Sequence, residues 1–174
     1  MSLDLGDLPA PYLSFWRERH VCTLTTPRPN GTPHVVPVGV TYDPETRTAR
    51  VLANRFSRKV AHVLAATEGT EDTGDTGDTG DGAGGARVAV CQFEGRRWAT
   101  LEGAAVIAAE PERVTEGMRR YEERYGRVPS PNPDRVVIEI RVDRALGSRA
   151  LAGTTPDPAA LGPADPGPTA PVRR

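Results

Sequence analysis

No stretch of this chain is apolar for long enough to cross a bilayer, and residues Met1 to Pro11 are acidic and proline-containing, without the basic start and apolar run of an export signal. A cytoplasmic protein with no membrane partner is expected. A strong charge of either sign is missing as well, because 22 basic and 23 acidic side chains leave a formal net charge of −1. Without a whole-molecule positive field, nucleic acid is not an expected partner. Cysteine is scarce: Cys22 and Cys91 each sit in an apolar, strand-like run, where a lone thiol behaves as a small buried hydrophobe. The three histidines, His20, His34 and His62, share no metal-ligand spacing and no Cys-x-x-Cys pair occurs, so no metal is expected. There is no Gly-x-Ser-x-Gly elbow or other nucleophile signature. An enzyme built this way leaves the hard chemistry to a bound cofactor, and no side chain is singled out as catalytic.

What is present fits one domain of ordinary size in 174 residues, with appendages. Tyr12 to Arg19 reads as a short amphipathic helix after an N-terminal arm, residues 1–11. His20 to Thr26 is β-branched and strand-like, Pro27 to Thr32 supplies a turn, and a second strand runs from Pro33 to Tyr42. After the turn at Asp43 to Thr46, a third strand covers Thr48 to Asn54, giving a meander. Ser57 is placed as the hydroxyl cap of a helix whose apolar stripe is Val60, Val63 and Leu64. Residues 68–86 form a Thr-Gly-Asp repeat that cannot offset its own ordering entropy, and a disordered acidic loop is expected there. Two more antiparallel strands, Arg87 to Phe93 and Trp98 to Ala109, flank the turn Glu94-Gly95-Arg96. A helix from Pro111 to Tyr125 starts on proline and stops at Gly126. Val136 to Val142 alternates as a half-buried strand, and the Pro/Ala-rich tail, residues 149–174, is expected to be unstructured. The fold class is therefore mainly β (α+β): a six-stranded antiparallel split barrel with peripheral helices, spanning residues 12–148.

Three features carry charge in a useful pattern. Gly80 to Gly85 spells a dinucleotide fingerprint, but it follows low-complexity sequence and leads into a strand, so the backbone geometry that the motif encodes is lacking. Ser57-Arg58-Lys59 gathers a hydroxyl, two cations and the unpaired N–H groups of a helix start, which suits a phosphate; the alternative is an ordinary cap followed by solvated basic residues. Cations in a first turn oppose the helix dipole, and an anion would relieve that conflict. Arg96 and Arg97 beside Trp98 suit a conjugated, anionic ligand, or form an exposed basic turn. Arg119, Arg120, Arg124 and Arg127 add a basic region, interspersed with Glu122 and Glu123 as on a solvated helix.

A series of short motifs, in order, is similar to one family. It includes Arg19-His20, LTT at 24–26, PHVVPVGVTYDP at 33–44, ARV at 49–51, Ser57 with Lys59, RRW at 96–98 and LEG at 101–103, then RY at 124–125, PNP at 131–133, RVVIE at 135–139 and LGS at 146–148. The chain resembles the pyridoxamine-phosphate-oxidase-like flavin and deazaflavin oxidoreductases, and within them the F-420-dependent biliverdin reductases. The resemblance covers most of Arg17 to Leu151 and implies a homodimer with cofactor sites at the subunit interface. It implies that His34, Val35, Val36 and Pro37 lie along a deazaflavin ring, and that Ser57, Arg58 and Lys59 hold its phosphate. It also brings Arg97 and Trp98 close to the cofactor and faces Val128, Pro129, Ser130 and Pro131 toward its glutamate tail. The 68–86 insertion and the long tail depart from the pattern, as does Arg58, where a neutral polar residue can stand. The activity implied is hydride transfer from coenzyme F-420 to a small conjugated acceptor, biliverdin. FMN in place of F-420, or a flavin or tetrapyrrole carrier without turnover, are the alternatives.

Overall fold

The computed structural model describes residues 1–68 and 84–153. Two hairpins open the domain: β2 (Cys22–Pro27) with β3 (Pro33–Val38), and β4 (Val40–Asp43) with β5 (Thr48–Asn54). Helix α2 (Arg58–Glu68) follows, then the long hairpin β6 (Ala86–Glu94) and β7 (Arg97–Ala108), α3 (Pro111–Tyr125) and β8 (Arg135–Gly147). The strands pair antiparallel in the order β3-β2-β6-β7-β8-β5-β4. The two ends of that path, β3 and β4, are consecutive in the chain and separated only by Gly39. One bent strand, residues 33–43, therefore supplies both edges and curls the sheet into a split barrel, the fold class expected. Counting that strand once gives six long strands.

The simple meander is corrected by this bend. Its second strand breaks at Gly39, where an added Cβ would lie 2.8 Å from the Tyr121 ring, so the chain crosses to the far edge before it pairs again. Inside the barrel, Leu24, Val40, Val51, Val90, Leu101, Ile138 and Ile140 are fully buried. Tyr12, Phe15 and Trp16 of α1 (Ala10–Arg17) belong to the same core cluster. In α2, Val60 and Val63 are buried but Leu64 is exposed, so the stripe is narrower than its spacing predicts. The half-buried alternation of β8 holds from Ile138 to Val142 but not at its start, where Val136, Val137 and Ile138 are buried in succession: α3 covers the outside of the barrel there, and a Cβ on Gly117 would lie 2.9 Å from Val137. Gly126 ends α3 in the left-handed region, φ 65°, which glycine enters without a Cβ clash.

The ends of the domain need correction too. The N-terminal arm is attached: β1 (Ser2–Leu3) pairs with β8, and Leu3, Leu5 and Leu8 pack on the core. The tail is structured at its start, where a 3-10 turn, Arg149–Leu151, buries Leu151. Glu68 belongs to α2 and Ala86 to β6, whereas residues 69–83 of the expected acidic loop and residues 154–174 of the tail lie outside the described residues.

The β7–β8 register shifts between Glu102 and Gly103, and a Cβ on Gly103 would meet the Arg141 carbonyl oxygen at 2.0 Å. Backbone cannot step aside as a side chain does. Gly103→Ala should lower stability by about 2–3 kcal/mol. A urea midpoint equal to that of the parent would refute the close approach.

Candidate cofactor site

The start of α2 is built by two local contacts. Asn54 accepts the Phe56 N–H on Oδ1 (2.9 Å) and the Ser57 N–H on its carbonyl (3.0 Å), turning the chain out of β5. The Ser57 carbonyl accepts the N–H groups of Val60 and Ala61 at 3.0 and 3.1 Å, so Ser57 holds the cap position that its sequence context predicts. Its hydroxyl does not cap. Ser57 Oγ is buried and has no hydrogen-bond partner among the described residues, an arrangement that costs a protein free energy unless something else binds there. Lys59 is half-buried, burial pushes its pKa down, and no carboxylate pairs with Lys59 or Arg58 among the described residues. Cations, open N–H groups and an unpaired hydroxyl converge on one place that suits an oxyanion.

The exposed edge of β3 lies near this helix. The Arg28 N–H bonds the Thr32 carbonyl (2.9 Å), so the antiparallel alternation pairs Thr26 with His34 and Leu24 with Val36 through hydrogen bonds. The same alternation turns the backbone of Pro33, Val35 and Pro37 away from β2. Prolines at two of the three outward positions remove donors where the ladder needs none, leaving the Val35 N–H and C=O to face outward. The His34 ring stands edge-on to His62 of α2, centroids 4.7 Å apart, and both Nδ1 atoms reach the hydroxyl of the fully buried Thr26, at 3.4 and 3.2 Å. A cavity of about 530 Å³ opens beside them, lined by Arg28, Pro29, Asn30, His34, Arg58 and His62. The sequence reading missed Arg28 and His62, although His62 stands four residues after Arg58, on the same helix face.

Arg97 and Trp98 are elsewhere. The Arg97 guanidinium donates to both Glu18 carboxylate oxygens (2.8 and 2.9 Å) and to Glu94, and lies 4.6 Å above the Phe15 ring. Arg97, and then His20, hold the Glu18 carboxyl below its ordinary pKa. Arg97 therefore braces the β6–β7 hairpin against the end of α1. Trp98 pairs across the hairpin with Phe93, and both rings are exposed. Thr25 lies opposite Ala89 whereas Arg97 lies opposite Glu94, which separates this corner from His34 by roughly 20 Å along β6 within one chain. The loop Val128 to Pro131 is tied closer: Arg135 donates to the Ser130 carbonyl, and the Arg55 N–H bonds the Asp134 carbonyl (2.9 Å), linking that loop's end to the turn before α2.

The basic face of α3 is mostly committed as well. Arg119 pairs with Glu116 and Glu123, and Arg120 with Glu116 and Asp43. Arg124 is not on a solvated surface: it donates to the carbonyls of Glu18 (2.8 Å) and Val40 and to Gln92 Oε1. Side-chain oxygens of Glu18 and Glu94 and a nitrogen of His20 lie within 4.8 Å of one another, a grouping that sequence spacing could not reveal, with Arg97 across both carboxylates. The glycines that survive of the fingerprint string in the described residues, Gly84 and Gly85, lead directly into β6.

A split barrel whose strand edge runs beside a helix start suited to an oxyanion is the architecture of a small ligand-binding barrel. The sequence pattern of the pyridoxamine 5'-phosphate oxidase family matches residues 8–148, and the chain belongs to that family. It is 40% identical over 139 residues, 80% of this chain and 87% of the relative, to the F-420H(2)-dependent biliverdin reductase of Mycobacterium tuberculosis (strain CDC 1551 / Oshkosh). Among solved structures, an F-420 reductase aligns with a TM-score of 0.57 at 20% identity, over 80% of this chain and 98% of that one. A putative 5-nitroimidazole antibiotic resistance protein from Bacteroides thetaiotaomicron aligns with a TM-score of 0.60 at 12% identity, over 85% and 88%. Those two likenesses establish the fold alone.

Arg124→Met would strip partners from the fully buried Gln92 and from two carbonyls. A loss of about 2–3 kcal/mol in urea unfolding is expected. An unshifted midpoint would mean that the guanidinium is not part of the frame.

Proposed function

We propose that the protein is an F-420-dependent oxidoreductase whose acceptor is biliverdin, reduced to bilirubin, and that it works as a cytoplasmic homodimer. The observation that carries this reading is the buried, unpaired Ser57 hydroxyl beside Lys59, whose ammonium has no carboxylate among the described residues. These groups and the open N–H groups of α2 hold the cofactor phosphate, with Arg58 at the rim. When bound, reduced F-420 supplies a hydride, which a relative 40% identical to this chain is named for using on biliverdin.

The chain's own residues bind and orient. The outward N–H and C=O of Val35 meet the polar edge of the ring system, while His34, Val36 and Pro37 set the floor of the cleft. Fixing two reactants in one orientation supplies a large part of such an acceleration, so no side-chain acid is needed for the hydride step. Arg97 and Trp98, remote from Ser57 in one chain, reach the cofactor only if they come from a second protomer. The exposed Phe93, Trp98 and Val21 supply apolar surface for that contact. The loop Val128, Pro129, Ser130 and Pro131 borders the cofactor's glutamate tail.

Lys59→Ala should weaken F-420 binding by about 1.5–3 kcal/mol, the worth of a charge-assisted hydrogen bond, read by fluorescence titration. Unchanged affinity would remove the phosphate site, and tighter binding of FMN than of F-420 would reassign the cofactor. Oxidation of reduced F-420 on adding biliverdin, above the protein-free rate, checks the acceptor. Sedimentation as a monomer at micromolar concentration would reject the two-chain site.

A further inference from the structure

Five buried side-chain polar atoms have no hydrogen-bond partner among the described residues, and three of them, Trp16 Nε1, Thr41 Oγ1 and the Tyr42 hydroxyl, belong to residues that line one cavity of about 280 Å³. Its walls are the end of α1, β4 and the last turns of α3, none of which supplies a residue assigned to the cofactor. The strand path ends on β4, so side chains from both faces of its pleat border the opening. Alternation turns Val40 and Tyr42 toward the core and Thr41 and Asp43 toward α3, where Asp43 meets Arg120 at 2.8 Å. Thr41 is 6% exposed, and a buried hydroxyl without a partner destabilises a fold. Valine in its place would avoid that cost.

The charges around this cavity do not cancel. Glu123 pairs with Arg119, and Arg120 with Asp43 and Glu116, so those two lining residues are neutralised within the chain. Arg124 is bonded to the carbonyls of Glu18 and Val40 and to Gln92 but to no carboxylate, and the exposed Arg17 makes no hydrogen bond or ion pair among the described residues. Two positive charges are left over. Beside them stand the rings of Trp16 and Tyr42, centroids 6.3 Å apart and planes tilted by 58°, and the Arg124 guanidinium lies 5.8 Å from the Trp16 centroid. Burial pushes the Tyr42 pKa up, so its hydroxyl stays protonated and can donate. Cations and hydroxyls select an oxyanion, and the aromatic wall selects a planar apolar body to carry it. A volume just under that of drug-sized sites limits that body to one or two rings.

We propose that Trp16, Arg17, Thr41, Tyr42 and Arg124 form a second ligand site that takes a small aromatic carboxylate, its charged end toward Thr41 and the two uncompensated arginines and its ring against Trp16 and Tyr42. Binding is non-covalent. The site stands apart from the redox reading, because neither its residues nor its ligand enter the hydride step.

The test titrates the full-length protein with 2-naphthoate, and with neutral 2-naphthamide and inorganic phosphate as controls. The acid should bind with a dissociation constant of about 1 mM or tighter, and the amide about tenfold more weakly. In NMR the acid should move the indole N–H signal of Trp16 and leave that of Trp98, the two being assigned with Trp98→Phe. Thr41→Val should weaken the acid about tenfold yet keep the urea midpoint at or above that of the parent, because the hydroxyl gives up no bond within the protein. Arg17→Gln should weaken it about twofold to threefold, an effect that disappears in about 1 M salt. No binding of the acid reduces the cavity to a water-filled space and overturns the site, as does equal binding of acid and amide. Phosphate that competes as strongly as the acid makes it an unselective anion patch, and a lowered urea midpoint in Thr41→Val shows the hydroxyl to be paired within the fold; either result overturns the proposal. Displacement of F-420 by 2-naphthoate assigns the acid to the cofactor site and overturns it too.

Discussion

The bend at Gly39, and the clamp that the last turn of α3 places on it, hold the barrel closed. The Tyr125 hydroxyl accepts the Val40 N–H (2.9 Å) and reaches the carbonyls of His20 and Val40, and burial pushes its pKa up to about 12. Arg124 binds the Val40 carbonyl and the Glu18 carbonyl, and Tyr121 occupies the space that a side chain at position 39 would need. A strand that leaves one sheet edge for the other exposes backbone groups where neither neighbour can pair them. The clamp pairs them, which is why polar side chains of a helix that looks solvated on paper point into the protein.

Polar satisfaction is uneven, and the unevenness is informative. Around α1 and the end of α3, Gln92 donates to the Phe15 carbonyl at 2.6 Å and accepts from Arg124, and the Tyr12 hydroxyl donates to the Thr100 carbonyl at 2.9 Å, whereas Trp16 Nε1, Thr41 Oγ1 and the Tyr42 hydroxyl are buried without a partner among the described residues. At the start of α2, Ser57 Oγ is left without a partner. Buried polar atoms that a fold does not pair are rare, and they concentrate where a ligand completes the arrangement.

The arginines divide in the same way. Arg50 and Arg113 share Glu139, Arg87 meets Asp143, Arg97 bridges Glu18 and Glu94, and these pairs fix strands and helices against one another. Arg28 and Arg58 have no carboxylate among the described residues, and both face the cavity that His34 and His62 also line. A net charge near zero thus conceals one local basic pocket, whose field acts over its own few ångströms.

Local chemistry written in the chain determined a good deal. Pro111 and Gly126 bracket α3 because one lacks an N–H that the first turn does not need and the other accepts a left-handed φ, and β5 alternates because its pleat has one wet face. The helix start at Ser57 to Lys59 was legible for the same reason, since a cap and the first two side chains after it are contiguous. Nothing local distinguishes Arg124, which is half-buried and bonded to two backbone carbonyls, from Arg119, which is solvated, or shows that Arg97 is held by Glu18, seventy-nine positions away. Those assignments, like the meeting of Thr26, His34 and His62 and the crossing of the sheet at Gly39, depend on which strands become neighbours. That is decided by barrel closure, where side chains distant in sequence compete for the same buried volume, and only the tertiary structure records the outcome.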